Sequence, residues 1–162
     1  MEQYIWLIPL IPFIGFLING LGRNVLSKSL VTFIGSGAVL ASFILSVMVF
    51  IAVPSGAGAQ PLIFKAFDLI QLPTLNVPFA FQIDALTSLF LLIITGVGFL
   101  IHVYSSAYMS KDKGFAKFFS YLNLFIFFML ILVMGNNFVM MFIGWEGVGL
   151  CSFLLIGFWF TN

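Results

Sequence analysis

Long apolar runs broken by short polar joints set the pattern of this chain. The run IWLIPLIPFIGFLING within residues 1–24 has roughly the length needed to cross about 30 Å of hydrocarbon. A short basic joint, Arg23 to Lys28, leads into a second apolar run over about 30–53. From 54 to 82 the character changes: Gly56, Gly58, Pro61, Pro73 and Pro78 punctuate short runs such as LIFKAFDLI and PFAFQI. Proline and glycine at this density end helices, and β-prone runs between them pair as a hairpin or lie at the membrane interface. A third apolar run covers about 84–104 and a fourth about 118–134. After the tight turn Gly135-Asn136-Asn137 comes a fifth, over 138–160. The pattern predicts an all-α polytopic membrane protein with five transmembrane helices. Residues 1–53 hold helices 1 and 2, residues 54–82 form an extracytoplasmic loop or short hairpin, and residues 83–162 hold helices 3 to 5.

The first run has a rival reading as a cleaved signal. That reading needs Lys or Arg before the apolar stretch and small residues after it, whereas here Glu2 precedes it and Leu21-Gly22-Arg23-Asn24 follows. The first run is therefore expected to be a spanning helix, with Pro9 and Pro12 tolerated because neighbouring groups re-satisfy the freed backbone. Ala57-Gly58-Ala59 resembles a peptidase site but lies far from the N-terminus.

Composition sharpens this picture. The 162 residues are 62% hydrophobic and 7% charged, include 22 Phe, and have a mean hydropathy of +1.22, far from the roughly one-quarter charged residues of soluble domains. A net charge of +1 offers no basic surface for a run of phosphates, which argues against nucleic-acid binding. The single cysteine, Cys151, reads as a small residue in a helix contact, with a reactive thiol as the lesser alternative, and no His/Cys spacing suggests a metal site. Counted on alternating loops, Arg23, Lys28, Lys111, Lys113 and Lys117 fall on one side and Lys65 on the other. The positive-inside rule then places the N-terminus outside and the C-terminus inside.

Three ionisable residues are candidates for chemistry. Glu146 lies in the apolar run FVMMFIGWEGVGLCSFLLIGFWF, where an acid costs at least about 2 kcal/mol by insertion scales and normally faces a protein interior or water. Gly144, Gly147 and Gly149 around it leave the backbone bare for close approach of a helix or a file of water. It reads as a buried proton-handling carboxylate, or else as a structural acid hydrogen-bonded between helices. His102 is a possible proton relay or a hydrogen-bonded interface residue, with Tyr104 and Tyr108 beside it suiting an interfacial aromatic belt. Asp84 opens the third run, where a helix cap accounts for it as well as transport does. Lys65 and Asp68 read as solvated loop charges. No lysine or arginine falls inside the five expected helices, so Glu146 needs a cation from elsewhere, a neutral hydrogen bond, or a proton of its own. No nucleophile–base set or phosphate loop points to catalysis within this chain alone.

The block YLNLFIFFMLILVMGNNFVMMFIGWEGVGLCSFLLIGFW, supported by IPLIPFIGFLING, FQIDALTSLF and IHVYSSAYM, resembles the proton-pumping antiporter-like subunits of respiratory complex I. The likeness points to the distal large subunit, called L in bacteria and 5 in mitochondria. It is also similar to the large subunit of multisubunit sodium/proton antiporters. The resemblance implies an enzyme role as a subunit of a proton-translocating NADH:quinone oxidoreductase, in which quinone reduction drives proton movement. Glu146 would be the proton-path glutamate of the fifth helix, paired with a lysine on a later broken helix within two inverted five-helix repeats. NADH, FMN, iron-sulfur clusters and quinone would be held by partner subunits, with no cofactor in this chain. The implied partners are other membrane-arm subunits, the lipid bilayer and protons. The implied location is an energy-transducing membrane, the bacterial inner membrane. The family pattern continues beyond Asn162, so the expectation is a fragment, a truncation or a split subunit whose lysine-bearing helices lie elsewhere. A sodium/proton antiporter subunit and a purely structural membrane piece are the competing readings.

Overall fold

The computed structural model describes residues 4–54 and 60–160. Glu2, Gly56 and the Ala57-Gly58-Ala59 stretch lie outside the described residues. Five α-helices and one hairpin follow in the order α1 (Leu7–Leu21), α2 (Lys28–Ala52), β1 (Leu62–Leu72), β2 (Leu75–Ile83), α3 (Ala85–Tyr108), α4 (Phe115–Met134) and α5 (Phe138–Ile156). A single 3-10 turn, Gly157–Trp159, continues α5.

Four of these helices, α2 to α5, the last counted with its 3-10 turn, are long and apolar enough to cross a membrane. The expectation of five spanning helices is met by length and composition for four, and the fifth, α1, is a shorter apolar helix. Its 15 residues extend only about 22 Å at 1.5 Å per residue, against about 30 Å of hydrocarbon. The apolar run is longer than the helix because residues 4–6 form turns and Gly22 closes the other end, its amide donating to the Ile18 carbonyl. Pro9 sits in the first turn, where a missing amide costs nothing, and only Pro12 is interior.

The other helices start where local chemistry lets them. Ser27 caps α2 by accepting from the Leu30 amide at 3.4 Å, and Asp84 caps α3 by accepting from Thr87 at 2.7 Å. Asn137 caps α5 by accepting from Val139 and Met140 at 3.1 and 3.0 Å. Helices α2 and α4 begin earlier than the apolar runs, so Lys28 and Lys117 lie in first helical turns. The expected absence of cations from the helices therefore holds for their interiors and not for their ends.

Helix α4 is the central element. It packs against α1 and α5 and touches α2 and α3, while α2 also packs against α1 and α3. Hydroxyls tie the bundle together: Ser42 of α2 donates to the Ile8 carbonyl of α1 at 2.8 Å, and Ser120 of α4 to the Phe16 carbonyl at 3.1 Å. At one end Lys28 donates to the carbonyls of Ser110 and Asp112 at 2.6 and 3.1 Å, joining the two basic loops.

The 54–82 region resolves, where described, into an antiparallel hairpin with Leu72 paired to Leu75 across a two-residue turn. Register shifts occur between Lys65 and Phe67 and between Asp68 and Ile70. The second is opposite Pro78, which has no amide for the ladder. Lys65 and Asp68, expected as solvated loop charges, form an ion pair at 2.7 Å. A lone two-stranded hairpin is marginal in water. This one buries Val77, Ala80, Phe81 and Ile83 and docks on the α4–α5 turn. There the Asn136 amide donates to the Ala80 carbonyl at 3.1 Å and Asn137 Nδ2 to the Pro78 carbonyl at 2.8 Å.

Candidate functional site

Helix α5 shows how glycine spacing aims the candidate acid. Met140, Gly144, Gly147 and Cys151 are its buried residues, and their spacing of four, three and four places them on one face. A Cβ at Gly144 would lie 2.5 Å from the backbone of Leu132, and one at Gly147 would overlap the Phe128 ring. These glycines are what let α5 lie close against α4, and Cys151 is a buried free thiol on the same face. Glu146 is turned about 130° from that face at 3.6 residues per turn. It is exposed, as are Phe142, Trp145 and Phe153. Glu146 is therefore not buried by the described residues of this chain: tight glycine packing on one side of α5 leaves the acid on the other. A Cβ at Gly149 would meet nothing within 4 Å, so that glycine belongs to the open side.

His102 is buried in α3. Its Nδ1 lies 2.8 Å from the Gly98 carbonyl, and since a carbonyl only accepts, Nδ1 carries the proton. Nε2 has no partner among the described residues, and the ring meets Phe119 edge-on with centroids 5.9 Å apart. Beside it lies a cavity of ≈130 Å³ walled by Ile101, Leu122, Phe125, Ile126 and Leu155.

Asp84 is a helix cap by geometry. The Thr87 amide, more than the opposing effect of desolvation, holds its carboxyl below the usual carboxylate range. Asp84 and His102 sit at opposite ends of α3, about 27 Å apart along its axis. Glu146 is on a different helix, nine residues or about 13 Å before Leu155, the α5 residue that lines the His102 cavity. The three candidates are not gathered into one site within this chain. No cluster of three His, Cys, Asp or Glu side chains suited to a metal occurs among the described residues.

A second polar feature was not singled out in the sequence. Asn19 of α1 and Asn123 of α4 are fully buried, with Ser36 of α2 nearly so. A Cβ at Gly35 would meet Asn123 Nδ2 at 3.0 Å and Asn19 Nδ2 at 3.1 Å. Asn19 donates to the Val31 carbonyl at 3.3 Å and Asn123 to the Phe119 carbonyl at 2.9 Å. The acceptor oxygens Asn19 Oδ1 and Asn123 Oδ1 and the hydroxyl of Ser36 have no partner among the described residues. The available signal was an amide in the middle of an apolar run, FLING and YLNLF, which is costly in hydrocarbon unless it faces the bundle interior.

Residues 69–119 match the family model described as NADH-Ubiquinone oxidoreductase (complex I), chain 5 N-terminus, a segment that contains Asp84 and His102. NADH-quinone oxidoreductase subunit L of Rickettsia conorii is 40% identical over 156 residues, 96% of this chain and 23% of that protein. Subunit L of Escherichia coli K12 is 38% identical over 156 residues, 94% of this chain and 25% of its own length. NADH-ubiquinone oxidoreductase chain 5 of Podospora anserina is 43% identical over 154 residues, 94% of this chain and 23% of its own length. The chain spans about a quarter of the length of the curated relatives it matches. The likeness read from the sequence to the complex I subunit L and chain 5 proteins therefore holds over nearly the whole chain, and residues 69–119 match the model of the chain 5 N-terminus.

Proposed function

We propose that this chain acts as part of a proton-translocating membrane subunit of NADH:quinone oxidoreductase, with Glu146 as its proton-transfer group. The observation that carries the reading is the position of Glu146 on the open face of a helix of membrane-crossing length. A carboxylate against lipid costs a few kcal/mol, so that face is expected to be covered by another helix or by water. In the resemblance read from the sequence, the covering helix brings a lysine. Movement of that cation toward and away from the carboxylate is the step by which the proton is released and taken up. His102 is a secondary relay candidate, with Nε2 as the acceptor. Asp84 is assigned to capping rather than transport. NADH, FMN, iron-sulfur clusters and quinone belong, in this reading, to partner subunits. The membrane is the bacterial inner membrane, with the hairpin outside and the basic loops inside. The relatives' printed names favour the oxidoreductase over the sodium/proton antiporter.

The test is Glu146→Gln in the complete assembly, reconstituted in sealed vesicles. Proton uptake per NADH oxidised is expected to fall while the assembly remains intact by native gel. An unchanged ratio of protons to NADH with normal assembly would remove Glu146 from the mechanism.

A further inference from the structure

A recess of ≈460 Å³ opens between the start of α2 and the end of α3, walled by Lys28, Ser29, Thr32, Ser106 and Ser110 with Phe33 beside them. Its chemistry is unlike that of the rest of the molecule, with four hydroxyls and one ammonium in a chain that is 62% hydrophobic. The ammonium is positioned: two of its three protons go to the carbonyls of Ser110 and Asp112, and it stands 5.6 Å over the Phe115 ring. One proton is left to give. Among the described residues the ion pair found is Lys65 with Asp68, so Lys28 has no carboxylate at salt-bridge distance. The nearby Asp112 carboxylate is engaged on both oxygens, by the Gly114 amide at 2.6 Å and by Trp159 Nε1 at 2.8 Å.

Depth then decides what fits. The recess lies at the ends of two helices of membrane-crossing length, which is the level of lipid headgroups. The same end carries Arg23, Lys28, Lys111, Lys113 and Lys117 against Asp112, a local excess that attracts anionic lipid. Phe33, one turn further into the membrane, is 77% exposed and offers an apolar track leading out of the polar wall. We propose that this recess binds the phosphate of an anionic glycerophospholipid, with Lys28 and the hydroxyls of Ser29 and Thr32 on the phosphate and an acyl chain along Phe33. The site is independent of Glu146 and of any proton path.

The test is retention of phosphatidylglycerol and of phosphatidylcholine, presented in equal amounts, by the complete membrane assembly in mild detergent, read by native mass spectrometry. Wild type is expected to keep phosphatidylglycerol preferentially. Lys28→Met should cut that retention about fivefold, the equivalent of about 1 kcal/mol for one cation at an anionic surface. Lys113→Met removes the same charge from the same end, and a comparable loss there would reduce the effect to general attraction and overturn the site. Thr32→Val leaves the carbonyl anchors of Lys28 untouched, so it keeps the test valid if Lys28→Met disturbs the loop. It should also weaken retention, and wild-type retention in Thr32→Val would overturn the proposal. Displacement of the lipid by millimolar inorganic phosphate would transfer the site to a free anion and overturn the lipid assignment.

Discussion

Asp84 illustrates how a single acid in a membrane chain is accounted for by local geometry. Its carboxylate accepts the Thr87 amide at the end of α3 where backbone donors are unpaired, and that bond depresses its pKa. Asp84→Ala should cost about 1 kcal/mol of local stability. A depressed folded value means that the charged cap stabilises above the unfolded carboxylate value of about 3.9 and that this contribution is lost as pH falls through the lower folded value. Protection of the Thr87 and Ser88 amides from hydrogen exchange should therefore differ between wild type and Asp84→Ala at pH 7, with the difference closing as pH falls below the unfolded carboxylate value. A difference that persists undiminished in acid would show that the charge is not what caps the helix. Its capping role was already legible, because an acid directly before an apolar run has this geometry available. The direction of Glu146 was not, because in GWEGVG every neighbour is glycine, apolar or aromatic and no polar stripe marks a face.

Between elements, the hairpin and α5 share one hinge residue. Asn137 offers its oxygen to the first amides of α5 and its Nδ2 to the Pro78 carbonyl of β2. Asn137→Asp keeps the capping acceptor and loses the donor, so it separates the two roles. Hydrogen exchange should accelerate in residues 75–83, by about fivefold for the net worth of one hydrogen bond of about 1 kcal/mol, while the first turn of α5 keeps its protection. Equal loss in both segments would mean that docking and capping are one cooperative unit. The hairpin itself was readable from short β-prone runs set between prolines. Its docking was not, since the pairing of Ala80 with Asn136 is a contact between segments far apart in sequence.

For the molecule as a whole, the structure gathers the basic loops at one end, where Lys28 holds the carbonyls of Ser110 and Asp112. The hairpin and the α4–α5 turn meet at the other. With α2 and α3 crossing the bilayer, this arrangement predicts opposite labelling. A membrane-impermeant thiol reagent should reach Lys113→Cys and Lys65→Cys from opposite sides of the membrane, with little background from the buried Cys151. Labelling of both from one side would overturn the topology.

Taken alone, the sequence determined the membrane class, the helical runs, the loop ends and the likeness to a family. These depend on hydropathy, on glycine and proline, and on motif residues, all of which act locally. Tertiary structure alone decided that Glu146 faces away from the bundle and that Asn19, Asn123 and Gly35 meet in its interior. In lipid, apolar surface does not reveal which side of a helix is inside, because the tails are as apolar as the core. The direction a helix faces is settled by close packing, here of Gly144 against Leu132 and of Gly35 against two buried amides, and that packing exists only once the helices have come together.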